Sequence, residues 1–234
     1  AVTTTPPVSS LESTSSPLPG INPSSLDGSP TAALTAEPTP VTESLSDQLD
    51  RILTDTGGHW NVLIQEVGGK ILYARESDER VLVASTIKVP IALLFIKSLE
   101  KENIPPGELQ RYLETHGNGE IPYSMLLRNM LVFSDEYCTT EILDAIMENM
   151  ADSSMIFRDW GVDIDITYRY SSAVDLARLW EGLYLGGFIP AEGRLILLNL
   201  LAEYTENDLS RLGSICALIP SDCTFHNKRG TITA

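Results

Sequence analysis

The sequence has 234 residues and a formal net charge of −16, with 16 Lys and Arg against 32 Asp and Glu. This length is sufficient for one domain with a sizeable core, and the negative charge argues against a protein that binds nucleic acids or anionic lipids. The longest apolar run, Val89–Ile96, has eight residues, whereas a membrane-spanning helix needs about 18–20.

Residues 1–42 are predicted to form a disordered linker. Of the first 40 residues, 23 are Ser, Thr or Pro, and the first 50 include neither Lys nor Arg. A segment with so few apolar side chains cannot offset the entropy cost of ordering. Spacers of this composition often hold domains outside the cytoplasm, so we expect a secreted or surface-tethered protein with an export signal or lipid anchor upstream. A disordered terminus without a tethering role is the alternative.

From residue 43 to residue 234 the pattern of apolar residues predicts an α/β domain. Gly and Pro residues near positions 105, 117, 161, 186 and 190 divide its helical part. The predicted elements, in chain order, are a helix through Leu45, Leu49, Ile52 and Leu53 that ends at Gly57, a hairpin of residues 60–67 and 70–75, a mainly helical stretch from Ser85, and a final strand over Thr224–Thr233. The sheet is therefore expected to close between strands that are far apart in sequence.

The three cysteines are Cys138, Cys216 and Cys223, and they form no C-x-x-C pair. The sequence also lacks an H-E-x-x-H motif, so neither a zinc site nor a c-type haem is predicted. Cys216 and Cys223 are close enough in sequence to form a disulfide, which would leave Cys138 as a small apolar residue in a helix. Three reduced and buried thiols are equally consistent with the sequence.

A lysine lies within the most apolar segment of the chain. A helix that begins near Ser85 would be apolar on nearly every side and therefore buried, and Lys88 lies one turn after Ser85 on the same face. A buried ammonium group is costly unless it is paired or deprotonated. The pair is therefore either reactive, or a helix-capping serine followed by a lysine whose charged end reaches solvent.

The same S-x-x-K spacing recurs at Ser98 and Lys101. That second pair lies at a polar helix end, where both side chains are expected to be solvated. Since the spacing alone occurs in both places, burial is the property that is expected to distinguish Ser85 and Lys88.

Two later segments carry polar groups that are ordinary when taken alone. Ser134, Asp135 and Glu136 precede a predicted helix over Tyr137–Met147, and Ser and acidic residues are typical of a helix start. The final strand places His226, Lys228 and Gly230 on one face, and a glycine there lets a ligand approach the backbone. An ordinary basic strand would have the same pattern.

Together, S-x-x-K on a buried helix, S-D-x at a helix start and K-x-G on a late strand resemble the serine β-lactamase and penicillin-binding-protein superfamily. The resemblance covers roughly residues 43–234 and is closest to the class A β-lactamase-like branch. It implies an α/β fold of the β-lactamase/transpeptidase type, with an antiparallel sheet packed against a mostly helical subdomain. It also implies two further strands and a helix after the K-x-G strand, so we expect a fragment whose last sheet strands are missing at the C-terminus.

The resemblance implies a serine hydrolase that needs neither a metal nor an organic cofactor. Ser85 would attack a β-lactam or a D-alanyl cell-wall peptide and form an acyl-enzyme, and Lys88 would accept its proton. Ser134 would relay a proton to the leaving nitrogen. The substrate would be bound by Lys228, Arg229, Gly230 and Thr231: the two cations would attract its carboxylate, and the N–H groups of Ser85 and Thr231 would form an oxyanion hole.

Two residues depart from the motifs of this family. Glu136 stands where the family has Asn, and its carboxylate would favour the charged form of Lys88 or would itself accept a proton. Arg229 replaces the usual Ser or Thr between the lysine and the glycine, and alternation tends to direct it away from the face of Lys228.

The segment before Ser171 lacks the glutamate that activates the deacylating water in class A enzymes. Between Trp160 and Ser171 the only carboxylates are Asp163 and Asp165, which are expected to face solvent. We therefore expect deacylation to be slow. The alternatives are an inactive protein of the same fold that binds ligands or partners, and an unrelated α/β domain with chance motifs.

Overall fold

The structure, a computed structural model, describes residues 43–149, 153–203, 218, 220 and 222–231. The contacts divide the chain after Thr42, and the part from Glu43 forms one compact unit. The predicted linker lies outside the described residues, and so does Cys216, one partner of the possible disulfide. Cys138 is buried and Cys223 is exposed, and both are free cysteines.

Helices make up most of the residues that the structure describes. The α-helices, in chain order, are α1 (Leu45–Thr56), α2 (Lys88–Ser98), α3 (Leu109–Thr115), α4 (Tyr123–Arg128), α5 (Glu136–Asn149), α6 (Ser153–Asp159), α7 (Ala173–Leu185) and α8 (Ala191–Leu201). The 3₁₀ turns Ala84–Ile87 and Leu99–Glu102 flank α2, and the π-helical turn Asn129–Phe133 follows α4. The predicted first helix and the predicted Gly and Pro breaks are confirmed.

Four short strands form two antiparallel pairs within the described part of the chain. They are β1 (Val62–Gln65), β2 (Ile71–Arg75), β3 (Val81–Leu82) and β4 (Tyr170–Ser171). The β1–β2 hairpin confirms the sequence prediction, and Gly68 has the positive φ of 66° that its turn requires. The β3–β4 pair, which was not predicted, fixes the segment that leads into Ser85 to the end of the 160–171 loop.

The predicted final strand is wrong for residues 224–231, the part of it that the structure describes. These residues form no strand. The backbone N–H of Asn227 donates to Leu201 O at 2.9 Å, and His226 Nδ1 lies 2.8 Å from Leu198 O. A strand needs a second strand as its hydrogen-bonding partner, and here the segment is instead anchored to the end of α8.

The core is built around α2. Every residue of α2 except Lys97 is buried, as its all-round apolar pattern predicted, and α2 packs against α5, α8 and the π-helical turn. The surrounding core includes Leu113, Leu126, Met130, Ile142, Phe157, Leu179 and Leu197. Among the residues that the structure describes, no helix has the length and apolar character needed to span a bilayer.

Candidate active site

Ser85 lies in the 3₁₀ turn that leads into α2. The preceding residue, Ala84, has a φ of 48°, which is disfavoured for residues other than glycine. The segment is held from the other side, because Val83 N donates to Arg169 O at 2.9 Å and β3 pairs with β4. Backbone strain of this kind persists where the surroundings hold the chain, and it concentrates at functional sites.

Lys88 is the first residue of α2 and is 0% exposed. Its Nζ lies 3.2 Å from Ser85 Oγ, 3.1 Å from Ser134 Oγ and 2.7 Å from Ser134 O. It also lies 2.5 Å from Glu136 Oε1. The buried amine is thus paired on several sides, as a polar group in a core must be, and it does not reach solvent.

Ser134 connects two lysines rather than capping the following helix. It ends the π-helical turn with a φ of 62°, and its Oγ lies within hydrogen-bonding distance of Lys88 Nζ and of Lys228 Nζ, the latter at 2.9 Å. The cap of α5 is Asp135, whose Oδ1 accepts from Cys138 N at 2.8 Å. Asp135 therefore caps the helix, as expected of a helix start, whereas the hydroxyl group of Ser134 contacts Lys88 and Lys228.

Glu136 is shared between two cations. Its Oε1 accepts from Lys88, and its Oε2 accepts from Arg169 Nη2 at 2.6 Å. The hydrogen bond from Arg169, followed by the hydrogen bond and charge of Lys88, lowers the pKa of Glu136 from 4.5 to about 2, although desolvation opposes the shift. The carboxylate is therefore ionised at neutral pH, with its side chain 56% exposed.

The C-terminal segment meets the site at Lys228 and Gly230. A Cβ atom at Gly230 would lie 2.9 Å from Ser85 N and 2.8 Å from Val83 O, so a side chain there would collide with the backbone that carries Ser85. Arg229 is half-buried and lines a small cleft with Glu203, and Thr231 is exposed. The structure thus brings Ser85, Lys88, Ser134, Glu136, Lys228 and Gly230 together.

Arg169 is the site residue that sequence reasoning missed. It has a φ of 59° and lies directly before the two-residue strand β4. In this position its side chain reaches Glu136. A lone arginine in a loop gives no signal of its own. The one available hint was the unusual Glu136, since a carboxylate beside a lysine in this family's site attracts further cations.

The two loop carboxylates are engaged away from Ser85. Asp163 forms an ion pair with Arg80 and its side chain is 68% exposed, which confirms the expectation that it faces solvent. For Asp165 the same expectation is wrong, because it is half-buried, and its Oδ1 accepts from Thr167 N and Tyr168 N, both at 2.9 Å. Such bonds within the loop are those of a turn.

The second S-x-x-K pair differs from expectation. Ser98 is 0% exposed, not solvated, and its Oγ donates to Phe95 O at 2.7 Å, which is a local bond within the helix. Lys101 is exposed. Burial of the serine therefore does not distinguish the two pairs, whereas burial of the lysine does.

One group of three potential metal ligands occurs within the described part of the chain: His59, Glu76 and Glu79, all exposed. His59 Nε2 lies 2.9 Å from Glu79 Oε2, and Nδ1 lies 3.4 Å from Glu76 Oε2. A single ion can bind only one nitrogen of an imidazole ring, so carboxylates placed at opposite nitrogens argue against a metal site.

A cavity of about 490 Å³ lies at the C-terminal end of α2, the end opposite Lys88. It is mainly apolar, and its two carboxylates already have partners. Glu100 pairs with Lys97 at 2.7 Å, and Glu192 accepts from Gly107 N and Gln110 N.

Known proteins share both the sequence pattern and the fold. The profile of the beta-lactamase enzyme family matches residues 44–234, although no curated protein matches the sequence. A beta-lactamase from Chitinophaga pinensis is 17% identical, with a TM-score of 0.61 over 78% of this chain and 77% of that chain. A class A beta-lactamase from Mycobacterium abscessus is 21% identical, with a TM-score of 0.60 over 79% of this chain and 78% of that chain.

A third similar structure is a variant of the class A beta-lactamase of the last common ancestor of Gram-negative bacteria. It is 20% identical, with a TM-score of 0.62 over 80% of this chain and 79% of that chain. These likenesses establish a β-lactamase fold, here mainly helical with small antiparallel sheets. Since the family profile also covers most of the sequence, the chain belongs to the beta-lactamase enzyme family.

Proposed function

We propose that the protein is a serine hydrolase that is acylated at Ser85 by β-lactams or by the D-alanyl ends of cell-wall peptides. The observation that supports this most strongly is an unbroken path of polar atoms. Ser85 Oγ lies 3.2 Å from Lys88 Nζ, which lies 3.1 Å from Ser134 Oγ, which lies 2.9 Å from Lys228 Nζ. Nucleophile, base and proton relay are thus within hydrogen-bonding distance of one another.

The hydrogen-bond geometry of Lys88 suits a base. Ser134 O and Glu136 Oε1 can only accept, so they occupy two N–H donors of the amine. A neutral amine has two N–H groups and one lone pair. With both N–H groups bonded, the lone pair is left for the nearby hydroxyl groups of Ser85 and Ser134. The lone pair can therefore take the proton of Ser85 as its oxygen attacks.

The proposed acylation step exchanges the C–N bond of the substrate for an ester bond to Ser85. A bond forms between Ser85 Oγ and the carbonyl carbon, the C–N bond breaks, and the proton of Ser85 passes through Lys88 and Ser134 to the leaving nitrogen. The N–H groups of Ser85 and Thr231 are proposed to bind the carbonyl oxygen. Lys228 and Arg229 are proposed to attract the substrate's carboxylate, and Gly230 leaves the backbone open to it.

Deacylation is proposed to be slow. Hydrolysis of the ester needs a base that activates water beside Ser85. Asp163 is paired with Arg80, and Asp165 is occupied by backbone N–H groups of its own loop. Glu136 is tied to two cations, and its pKa of about 2 makes it a weak base.

A second candidate function is an inactive protein of the same fold that binds ligands or partners. The observation that favours it is the 2.5 Å contact between Lys88 Nζ and Glu136 Oε1. A carboxylate so close stabilises the charged amine, and a charged amine cannot accept the proton of Ser85. The two candidates therefore differ in whether Lys88 becomes neutral.

The proposed substrates set the proposed location. Cell-wall peptides and β-lactams are met outside the cytoplasm, and the Ser/Thr/Pro-rich residues 1–42 suit a spacer there. We therefore propose a secreted or surface-tethered protein, whose linker precedes the hydrolase domain at residues 43–234. An upstream lipid anchor would serve the same arrangement.

A fluorescent penicillin with denaturing mass spectrometry tests the proposal on the full chain. We expect a covalent adduct with the mass of the whole penicillin, because ring opening releases no fragment. Ser85→Ala should abolish the adduct. Ser98→Ala, the matched control in the second S-x-x-K pair, should retain it. Absence of an adduct on the folded wild-type chain, with the penicillin left unhydrolysed, would refute acylation and support the binding protein.

A further inference from the structure

Arg169 is connected to both halves of the site. Its side chain binds Glu136, with Nη2 2.6 Å from Oε2 and Nη1 3.4 Å from Oε1. Its backbone oxygen accepts from Val83 N, two residues before Ser85. The backbone of Arg169 is thus bonded to the segment that leads into Ser85, and its guanidinium is paired with the carboxylate that binds Lys88.

The backbone of Arg169 is held in an unfavourable conformation. Its φ of 59° lies in the left-handed region, which an arginine seldom adopts and which is retained only where neighbouring contacts enforce it. Tyr170 and Ser171 follow at once in β4 and pair with Leu82 and Val81. The side chain is half-buried and is paired with Glu136.

The charged groups around Lys88 come from three segments. Glu136 on α5 contacts the amine directly at 2.5 Å, Arg169 faces it across Glu136, and Lys228 faces it across Ser134. On α2 itself the nearest other charge is Lys97, at the far end of the helix. Glu136 favours the ammonium form of Lys88, whereas the two cations disfavour it.

We propose that Arg169 is a positioning residue that shares the charge of Glu136 and so allows Lys88 to become neutral for attack by Ser85. This inference rests on the proposed function, since it explains how a site with a glutamate beside its base can still acylate. With Arg169 in place, Glu136 and Arg169 form a neutral pair beside an uncharged amine. Without Arg169, the uncompensated carboxylate holds the proton on Lys88.

The test reads the charge of Lys88 directly, by NMR of the full chain labelled with ¹⁵N-lysine, with Lys88→Met to assign the signal. In Arg169→Gln the protonation midpoint of Lys88 should move to higher pH by about one unit, the scale on which a neighbouring charge acts. Arg169→Lys, which keeps the charge, should restore most of the wild-type midpoint. Arg51→Gln, which breaks an exposed ion pair with Glu43 at 2.9 Å, is the matched control and should change nothing.

A second arm measures acylation by a fluorescent penicillin against pH. Arg169→Gln should acylate about tenfold more slowly at pH 7 and recover when the pH is raised by about one unit. Should Arg169→Gln fail to fold, Glu136→Gln tests the same link, because loss of the carboxylate should move the midpoint of Lys88 to lower pH.

The two arms separate the possible failures. An unmoved Lys88 midpoint in Arg169→Gln, or an equal shift in Arg169→Lys, would overturn the role of Arg169. A wild-type chain that is not labelled at any pH would instead overturn the proposed function, and the NMR arm would still decide whether Arg169 controls the charge of Lys88.

Discussion

Lys228 Nζ lies 2.9 Å from Ser134 Oγ, although 94 residues separate the two in sequence. This hydrogen bond joins the C-terminal segment to the turn before α5 and, through Ser134, to Lys88. The candidate active site is therefore assembled from three distant parts of the chain. An amine at this position can serve both the proton relay and the attraction of a substrate carboxylate.

Lys228→Met should lower the acylation rate by about tenfold to a hundredfold, the value of a charge-assisted hydrogen bond. The loss should be smaller for a β-lactam whose carboxylate is esterified, because that substrate has no charge for Lys228 to attract. Rates with both substrates measure this difference. Lys70→Met, an exposed lysine on the hairpin, should leave both rates unchanged, and equal losses with both substrates would rule out carboxylate recognition.

Gly230→Ala should lower the acylation rate by about tenfold or more, comparable to the loss of an oxyanion-hole donor. The added methyl group would approach Ser85 N and Val83 O at 2.9 and 2.8 Å, and these backbone atoms cannot turn aside as a side chain can. Gly187→Ala is the matched control, since its Cβ would meet nothing within 4 Å. Acylation of Gly230→Ala at the wild-type rate would show that, in solution, Gly230 does not lie against the backbone of Val83 and Ser85.

Glu136 should contribute to stability in a pH-dependent way. Its folded pKa of about 2 lies below the ordinary 4.5, so its contribution is full above pH 4.5 and is lost as the pH falls toward 2. Because the side chain is 56% exposed, we discount the shift for solvent screening and expect about 1 kcal/mol. Urea unfolding at pH 3 and pH 7 should show a smaller pH difference for Glu136→Gln than for the wild type, and an unchanged difference for Glu120→Gln.

The penicillin adduct should persist for many minutes, and the loop aspartates should not control its lifetime. Asp163→Asn and Asp165→Asn should each leave the lifetime within about twofold of the wild type, since Asp163 is paired with Arg80 and Asp165 with N–H groups of its own loop. A time course of intact masses after removal of excess penicillin measures this. A much longer lifetime in Asp165→Asn would identify that carboxylate as the base for deacylation.

Sequence patterns predicted the elements that are specified locally. The buried helix α2 follows from its apolar residues on every side, and the hairpin follows from alternation around Gly68. These two signals reside in consecutive residues, so no knowledge of the tertiary structure is needed to detect them. The meeting of Ser85, Lys88, Ser134 and Lys228 was implied by the family resemblance of their motifs, and their side chains do meet.

The features that escaped prediction depend on distant partners. Alternation over Thr224–Thr233 predicted a strand, but alternation does not reveal whether a second strand lies beside it. The described part of the segment bonds instead to α8. Arg169 was missed because the pairing of β3 with β4 involves two residues on each side, too few to detect as a pattern. Ser98 was expected to be solvated because polar residues follow it in sequence. It is buried because its side chain faces the core rather than those residues.

Acylation at Ser85 is tested most directly by finding the atom that the penicillin modifies. After reaction of the folded wild-type chain, trypsin should release residues 81–88, the peptide between Arg80 and Lys88 that contains Ser85. This peptide should carry the penicilloyl mass, and fragmentation should assign the mass to Ser85. A modification found only on Ser134 or another residue, with residues 81–88 unmodified, would show that Ser85 is not the nucleophile.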